Sequence, residues 1–126
     1  MNLKRAVVPT LFVLAAAIKL PPVLGLFAPG RIPGAYGVRF DDPNLLILLR
    51  HRAGLFAIVG VLLLAAAFTP RLRPLATLVG LYSMISFNVV VWLDGPTNEL
   101  LVRYAGIDLV GIALLIAAYL LDKRGL

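Results

Sequence analysis

The sequence predicts an all-α membrane protein, a four-helix transmembrane bundle in one domain over residues 1–126. Of its 126 residues 61% are hydrophobic and only 14% are charged, which is too few charges to cover a water-exposed surface. Four apolar segments of about twenty residues recur, and a helix of about that length spans the hydrocarbon core of a bilayer. No segment alternates polar and apolar residues as a barrel strand does, so helices are predicted.

The predicted spans are residues 6–27, 44–68, 74–93 and 98–121. The first is interrupted by Lys19 and by the prolines at 21 and 22. Its basic start, apolar core and small residues at 15–17 also fit a signal peptide, whose cleavage would leave three spans. After it, the Pro/Gly-rich stretch 28–42 predicts a 15-residue outer loop, either a cap over the bundle or a mobile tether.

The other three spans begin and end near residues that commonly start or end helices. Asp42 supplies an N-cap for the second span, and Pro43 occupies its first helical position. Pro70 ends that span, Pro74 opens the third, and Gly95 separates the third span from the fourth.

Basic residues at the ends of the spans predict how the chain crosses the membrane. Six of them lie on the side that holds both termini and the 69–73 turn, against two on the opposite side. Because basic residues collect in cytoplasmic loops, both termini are predicted to lie in the cytoplasm. This topology also accounts for the net charge of +6, so no nucleic-acid partner is expected.

Polar side chains from all four spans are predicted to meet in the outer half of the membrane. They are Lys19 on the first span, Arg50, His51 and Arg52 on the second, Asn88 on the third, and Arg103 and Asp108 on the fourth, with Tyr104 nearby. Charged groups at this depth are costly unless they are paired or hydrated. They are therefore expected to face the interior of the bundle.

Helical geometry separates the three basic residues of the second span. Successive residues rotate by about 100°, so Arg50, His51 and Arg52 cannot all point inward. Small residues that mark a helix contact face share the side of Arg50, namely Ala53, Gly54, Ala57 and Gly60. Arg50 is therefore predicted to point inward and Arg52 to reach lipid headgroups, with His51 between them. Asp108, the one acid deep in a span, is expected to pair with Arg50 or Lys19.

Several kinds of chemistry are excluded or lack a signature. The chain has no cysteine and one histidine, which excludes disulfides and thiol catalysis and leaves too few ligands for zinc. It has no phosphate-binding glycine loop and no evident Ser-His-Asp set. No catalytic residue, no metal site and no resident cofactor are predicted.

Two stretches resemble a known family of small bacterial membrane proteins. They are YGVRFDDPNLLILLRHRAGLFAIVG and AAFTPRLRPLATLVGLYSMISF, within residues 36–87. The chain resembles four-span proteins of the DoxX-like kind, which implies the bacterial inner membrane and a quinone or lipid as ligand. Some members of the closest group are labelled phosphopantetheine adenylyltransferase. HRAG at His51–Gly54 is not the HxGH motif of those soluble enzymes, and the sequence argues against that label.

The sequence thus predicts a membrane protein that binds a small amphiphile, lipid or quinone in an outer-half polar pocket. The expected ligand-binding residues are Lys19, Arg50, His51, Asn88, Tyr104 and Asp108, with Arg52 on lipid headgroups. One alternative is a subunit of a membrane complex or a homo-oligomer, because small-residue stripes such as Ala113 and Ala117 favour helix contacts. The other is a small transporter or membrane enzyme that uses Asp108 and His51. Membrane lipids are the expected partners.

Overall fold

The computed structural model describes residues 3–28, 30, 33, 42–95 and 99–123, and most of these residues lie in helices. The helices are α1 (Leu3–Lys19), α2 (Leu24–Phe27), α3 (Pro43–Phe68), α4 (Arg73–Asp94) and α5 (Glu99–Lys123), with 3-10 turns at Pro21–Val23 and Pro70–Leu72. The described residues contain no strand, so the predicted all-helical fold is confirmed. The predicted outer loop at 28–42 lies almost wholly outside the described residues.

Within the part of the chain that the structure describes, four stretches are long and apolar enough to cross a membrane. They are Arg5–Val23, Pro43–Phe68, Pro70–Asp94 and Glu99–Asp122. Large apolar side chains cover the outside of these helices, as Leu48, Leu78 and Leu93 illustrate with exposed fractions above one half. In water such a surface would be an aggregation hazard, whereas in a bilayer it faces acyl chains. The chain is therefore a multi-pass membrane protein.

The helix boundaries follow the local sequence signals. At the start of α3 the Asp42 side chain accepts a hydrogen bond of 2.9 Å from the backbone N–H of Asn44, and Pro43 occupies the first helical position. At the end of α1 the prolines at 21 and 22 supply no N–H for a continuing helix. Helix α1 therefore stops at Lys19, and the chain continues as a 3-10 turn into the short α2.

The four long helices pack in a ring. Helix α1 contacts α3 and α5, and α4 closes the ring by contacting the same two helices. The shared core consists of fully buried side chains from every long helix, the largest being Phe12, Leu63, Met84 and Leu115. At Gly80 a Cβ atom would lie 2.7 Å from Leu115 and 3.2 Å from Leu63, so glycine allows α3, α4 and α5 to approach closely.

Arg73 stabilises the end of the bundle at which the turn between α3 and α4 lies. The Nε and Nη2 groups of Arg73 donate hydrogen bonds of 2.9 and 3.1 Å to the carbonyls of Ala66 and Ala67. Its Nη1 group donates to Asp122 Oδ1 on α5 at 3.1 Å. Arg73 therefore satisfies carbonyls that the end of α3 leaves without helical partners, and it ties three helices together.

Replacing this arginine should destabilise the bundle far more than replacing its neighbour. Arg73→Leu removes two hydrogen bonds to helix carbonyls and one ion pair, and we expect a loss of about 2 kcal/mol in the free energy of unfolding. Arg71→Leu is the matched control, because Arg71 is exposed at the same turn. Unfolding by SDS titration in mixed micelles measures both variants. Equal losses would contradict the assigned role of Arg73.

Candidate functional site

An ion pair lies inside the bundle at the end opposite to Arg73. Lys19 Nζ donates to Asp108 Oδ2 at 3.4 Å, and the two residues are only 2% and 8% exposed. Lys19 is the last residue of α1, and Asp108 lies on the buried face of α5 with Ala105 and Gly111. The predicted packing face of Asp108 is confirmed. Of its two candidate partners, the structure pairs Asp108 with Lys19.

A second cation lies beside this pair, on α3. The guanidinium Cζ of Arg52 is 4.5 Å from the ring centroid of Phe56 and 5.2 Å from that of Phe87. Lys19 Nζ lies 4.9 Å from the same Phe56 ring. Cations over aromatic faces are stabilised, and more so where water is scarce. Arg52 is also close enough to act electrostatically on both Lys19 and Asp108. Two cations, one carboxylate and two aromatic rings thus form one cluster.

A cavity of about 410 Å³ adjoins this cluster. Its lining comprises Ala17, Ile18, Lys19, Pro21, Pro22, Leu24, Gly25, Arg52, Phe56, Phe87, Tyr104, Ile107 and Asp108. The side chains of Ala17, Leu24 and Ile107 are exposed at the outer surface of the bundle. The cavity therefore opens sideways between α1 and α5, where the surrounding membrane would be, and its polar groups lie further in.

Three of the six predicted ligand-binding residues line the cavity, namely Lys19, Tyr104 and Asp108. Arg52, predicted to contact lipid headgroups, lines it as well. Arg50 and His51 do not, and both side chains are exposed. Asn88 is buried outside the lining, where its amide donates to the Met84 carbonyl and its Oδ1 accepts from Trp92.

The predicted inward orientation of Arg50 is wrong, and the cause is geometric. At about 100° per residue, the mean direction of the buried residues of α3 lies roughly 45° from Arg52 and roughly 115° from Arg50. The small residues used to assign the face spread over a broad arc. Of these, Gly54 and Ala57 lie closest to the direction of Arg50, and they are only half-buried. The other two, Ala53 and Gly60, are buried and lie closer to the mean buried direction, on the side where Leu63 is also buried.

Phe56 and Phe87 were not identified from the sequence, nor was the part of the lining that follows α1, namely Pro21, Pro22, Leu24 and Gly25. Phe56 lies four residues after Arg52, the spacing at which two side chains share a helix face. That pair was visible in the sequence and would have placed Arg52 beside an aromatic ring. Phe87 had no such local signal, because its contact with Arg52 depends on how α3 and α4 pack.

No protein-family model, no curated protein and no solved structure matches the chain. The resemblance to DoxX-like proteins therefore stays an expectation from the sequence. Among the described residues no group of three or more His, Asp and Glu side chains is arranged to hold a metal ion.

A double-mutant cycle tests the coupling between Lys19 and Asp108. Lys19→Met and Asp108→Leu should each cost about 3–5 kcal/mol of unfolding free energy, since each removes one partner of a buried ion pair. The double variant should cost much less than the sum, because both charges are removed together. SDS titration measures all four proteins. Additive costs would show that the two residues do not interact.

Proposed function

We propose that this protein binds a small amphiphile, a lipid or a quinone, in the cavity between α1, α3 and α5. The observation that supports the proposal is the composition of one cavity wall. Charged groups of Lys19, Arg52 and Asp108 lie beside the rings of Phe56 and Phe87, and the opening faces sideways. This arrangement offers a polar site and an apolar site to one ligand.

The size of the cavity agrees with this proposal. Ligand pockets in proteins usually measure about 300–1,000 Å³ and combine apolar walls with a few placed polar groups. A volume of about 410 Å³ accommodates a headgroup or a small ring system, but not a whole phospholipid. A longer apolar tail would extend through the opening between α1 and α5 into the bilayer.

The proposed orientation places the cavity in the outer leaflet of the bacterial inner membrane. The distribution of basic residues supports cytoplasmic termini. Lys19 lies 16 residues after the start of α1, a rise of about 24 Å, so it would be near the far side of the membrane. The ligand would then exchange with the outer leaflet.

A structural role is the second candidate, favoured by the direct contact between Lys19 and Asp108. A buried ion pair of this kind can fix the way two helices pack without binding anything. The protein would then act as a subunit of a membrane complex or of a homo-oligomer. The transporter or enzyme alternative needs His51 close to Asp108, whereas His51 is exposed outside the cavity lining.

Blocking the opening should remove the ligand. Ala17→Trp fills the mouth of the cavity, whereas Ala113→Trp adds the same bulk at an exposed alanine on α5 outside the lining. The purified proteins are first freed of bound lipid. They are then mixed with phosphatidylglycerol, dodecanoate or decylubiquinone and examined by native mass spectrometry. We expect wild type and Ala113→Trp to retain at least one of these molecules, and Ala17→Trp to retain it at least about fivefold less.

Two outcomes would contradict the proposed function. One is that wild type retains none of the three amphiphiles. The other is that Ala17→Trp and Ala113→Trp retain them equally, which would place the binding elsewhere on the protein. Either result would leave the structural role as the better explanation of the buried ion pair.

A further inference from the structure

We infer that the amphiphile has an anionic headgroup, which Arg52 and Lys19 recognise, and an alkyl tail that leaves the cavity between α1 and α5. This inference rests on the proposed function. It narrows the ligand class to alkyl chains that end in a monoanionic oxygen acid. A fatty carboxylate and a phosphodiester lipid share this chemistry.

The charge of the cavity wall favours an anionic headgroup. Among the described lining residues, Lys19 and Arg52 are cationic and Asp108 is the acid. An anionic headgroup placed among them gains more attraction from the two cations than repulsion from one carboxylate. A cationic headgroup would be repelled by the two cations more than it is attracted by the carboxylate. A neutral headgroup would gain little electrostatic attraction from any of them. Because the cluster is largely shielded from water, this difference is stronger than at an exposed surface.

Arg52 and Lys19 also supply hydrogen-bond donors to the cavity. A guanidinium has five N–H donors in one plane, so Arg52 can donate to a ligand oxygen in addition to its contacts within the protein. The rings of Phe56 and Phe87 pack against it and limit its rotation. The ammonium of Lys19 has three donors, of which Asp108 accepts one. Carboxylate and phosphate oxygens are the acceptors that such donors bind most strongly.

The opening of the cavity suits an alkyl tail. The side chains at the opening, Ala17, Leu24 and Ile107, are apolar, and so is Ile18 beside them. Lys19 and Arg52 are more deeply buried than the three side chains at the opening. A ligand with its charge on Arg52 and Lys19 therefore has an apolar exit for the rest of the molecule. A water-borne anion without a tail would leave this apolar exit unused.

A series of headgroups, carried on alkyl tails of similar length, tests the inference, with acetate as the anion that lacks a tail. Dissociation constants are measured for dodecanoate, dodecanol and decylubiquinone at pH about 8.5, where a carboxylate is ionised. Wild type should bind dodecanoate at least about tenfold more tightly than dodecanol, the scale of one charge-assisted hydrogen bond. Lauroyl lysophosphatidylglycerol and acetate complete the series. Tighter binding of either amphiphilic anion than of dodecanol supports the inference, and the tighter of the two anions identifies the source of the headgroup.

Two arginines separated by one residue provide the matched variants. In Arg52→Gln the preference for dodecanoate over dodecanol should fall below about threefold, because the cation at the headgroup is lost. In Arg50→Gln this preference should be unchanged, since the Arg50 side chain is exposed and does not line the cavity. Arg52→Lys keeps the charge and should retain part of the preference. If Arg52→Gln does not fold, the wild-type series and Arg52→Lys still decide the question.

The outcomes separate this inference from the proposed function. If dodecanoate, dodecanol and decylubiquinone bind equally and Ala17→Trp blocks all three, the amphiphile site stands and the anionic headgroup is overturned. An equal loss of preference in Arg50→Gln and Arg52→Gln would also overturn it. If acetate binds as tightly as dodecanoate, or Ala17→Trp changes nothing, the proposed function itself is wrong.

Discussion

The ion pair between Lys19 and Asp108 is the interaction on which the rest of the structure depends. Charged groups at membrane depth are tolerated where they face protein or water rather than acyl chains. Lys19 ends α1 and Asp108 lies on α5, so their contact at 3.4 Å fixes how these two helices are aligned. Because Asp108 must face protein or water rather than acyl chains, its position also determines which face of α5 is turned toward the bundle.

The cavity exists because this ion pair coincides with a break in the first span. Two prolines, separated from Lys19 by one residue, end α1, and the chain that follows is a 3-10 turn and one short helix. A continuous helix would pack against α5 at this level, whereas the broken segment leaves space beside the charges. Arg52, held between Phe56 and Phe87, forms the opposite wall. An apolar opening and a charged interior are therefore consequences of where one helix stops.

Much of the fold was predictable, because apolar length and proline placement depend on local sequence alone. The burial of Asp108 was also predictable, since an acid within a span must turn inward. The orientation of α3 was not, because three adjacent basic residues offer three directions and the small residues nearby cover a broad arc. Whether Arg50 or Arg52 enters the bundle depends on packing against α4. The hydrogen bonds of Arg73 were missed for a similar reason, since a residue in a turn gives no sign that it reaches α5.

A solid-state NMR distance measurement in lipid bilayers tests the central claim most directly. The variant with Lys4→Arg and Lys123→Arg leaves Lys19 as the one lysine, so isotope labels on lysine side-chain nitrogen and aspartate carboxyl carbon report on its carboxylate neighbours. An ion pair at 3.4 Å predicts a nitrogen–carbon distance below about 5 Å. The signal should disappear in Asp108→Asn, which removes that labelled carboxyl. A signal that persists in Asp108→Asn, or no signal at all, would contradict an ion pair inside the bundle.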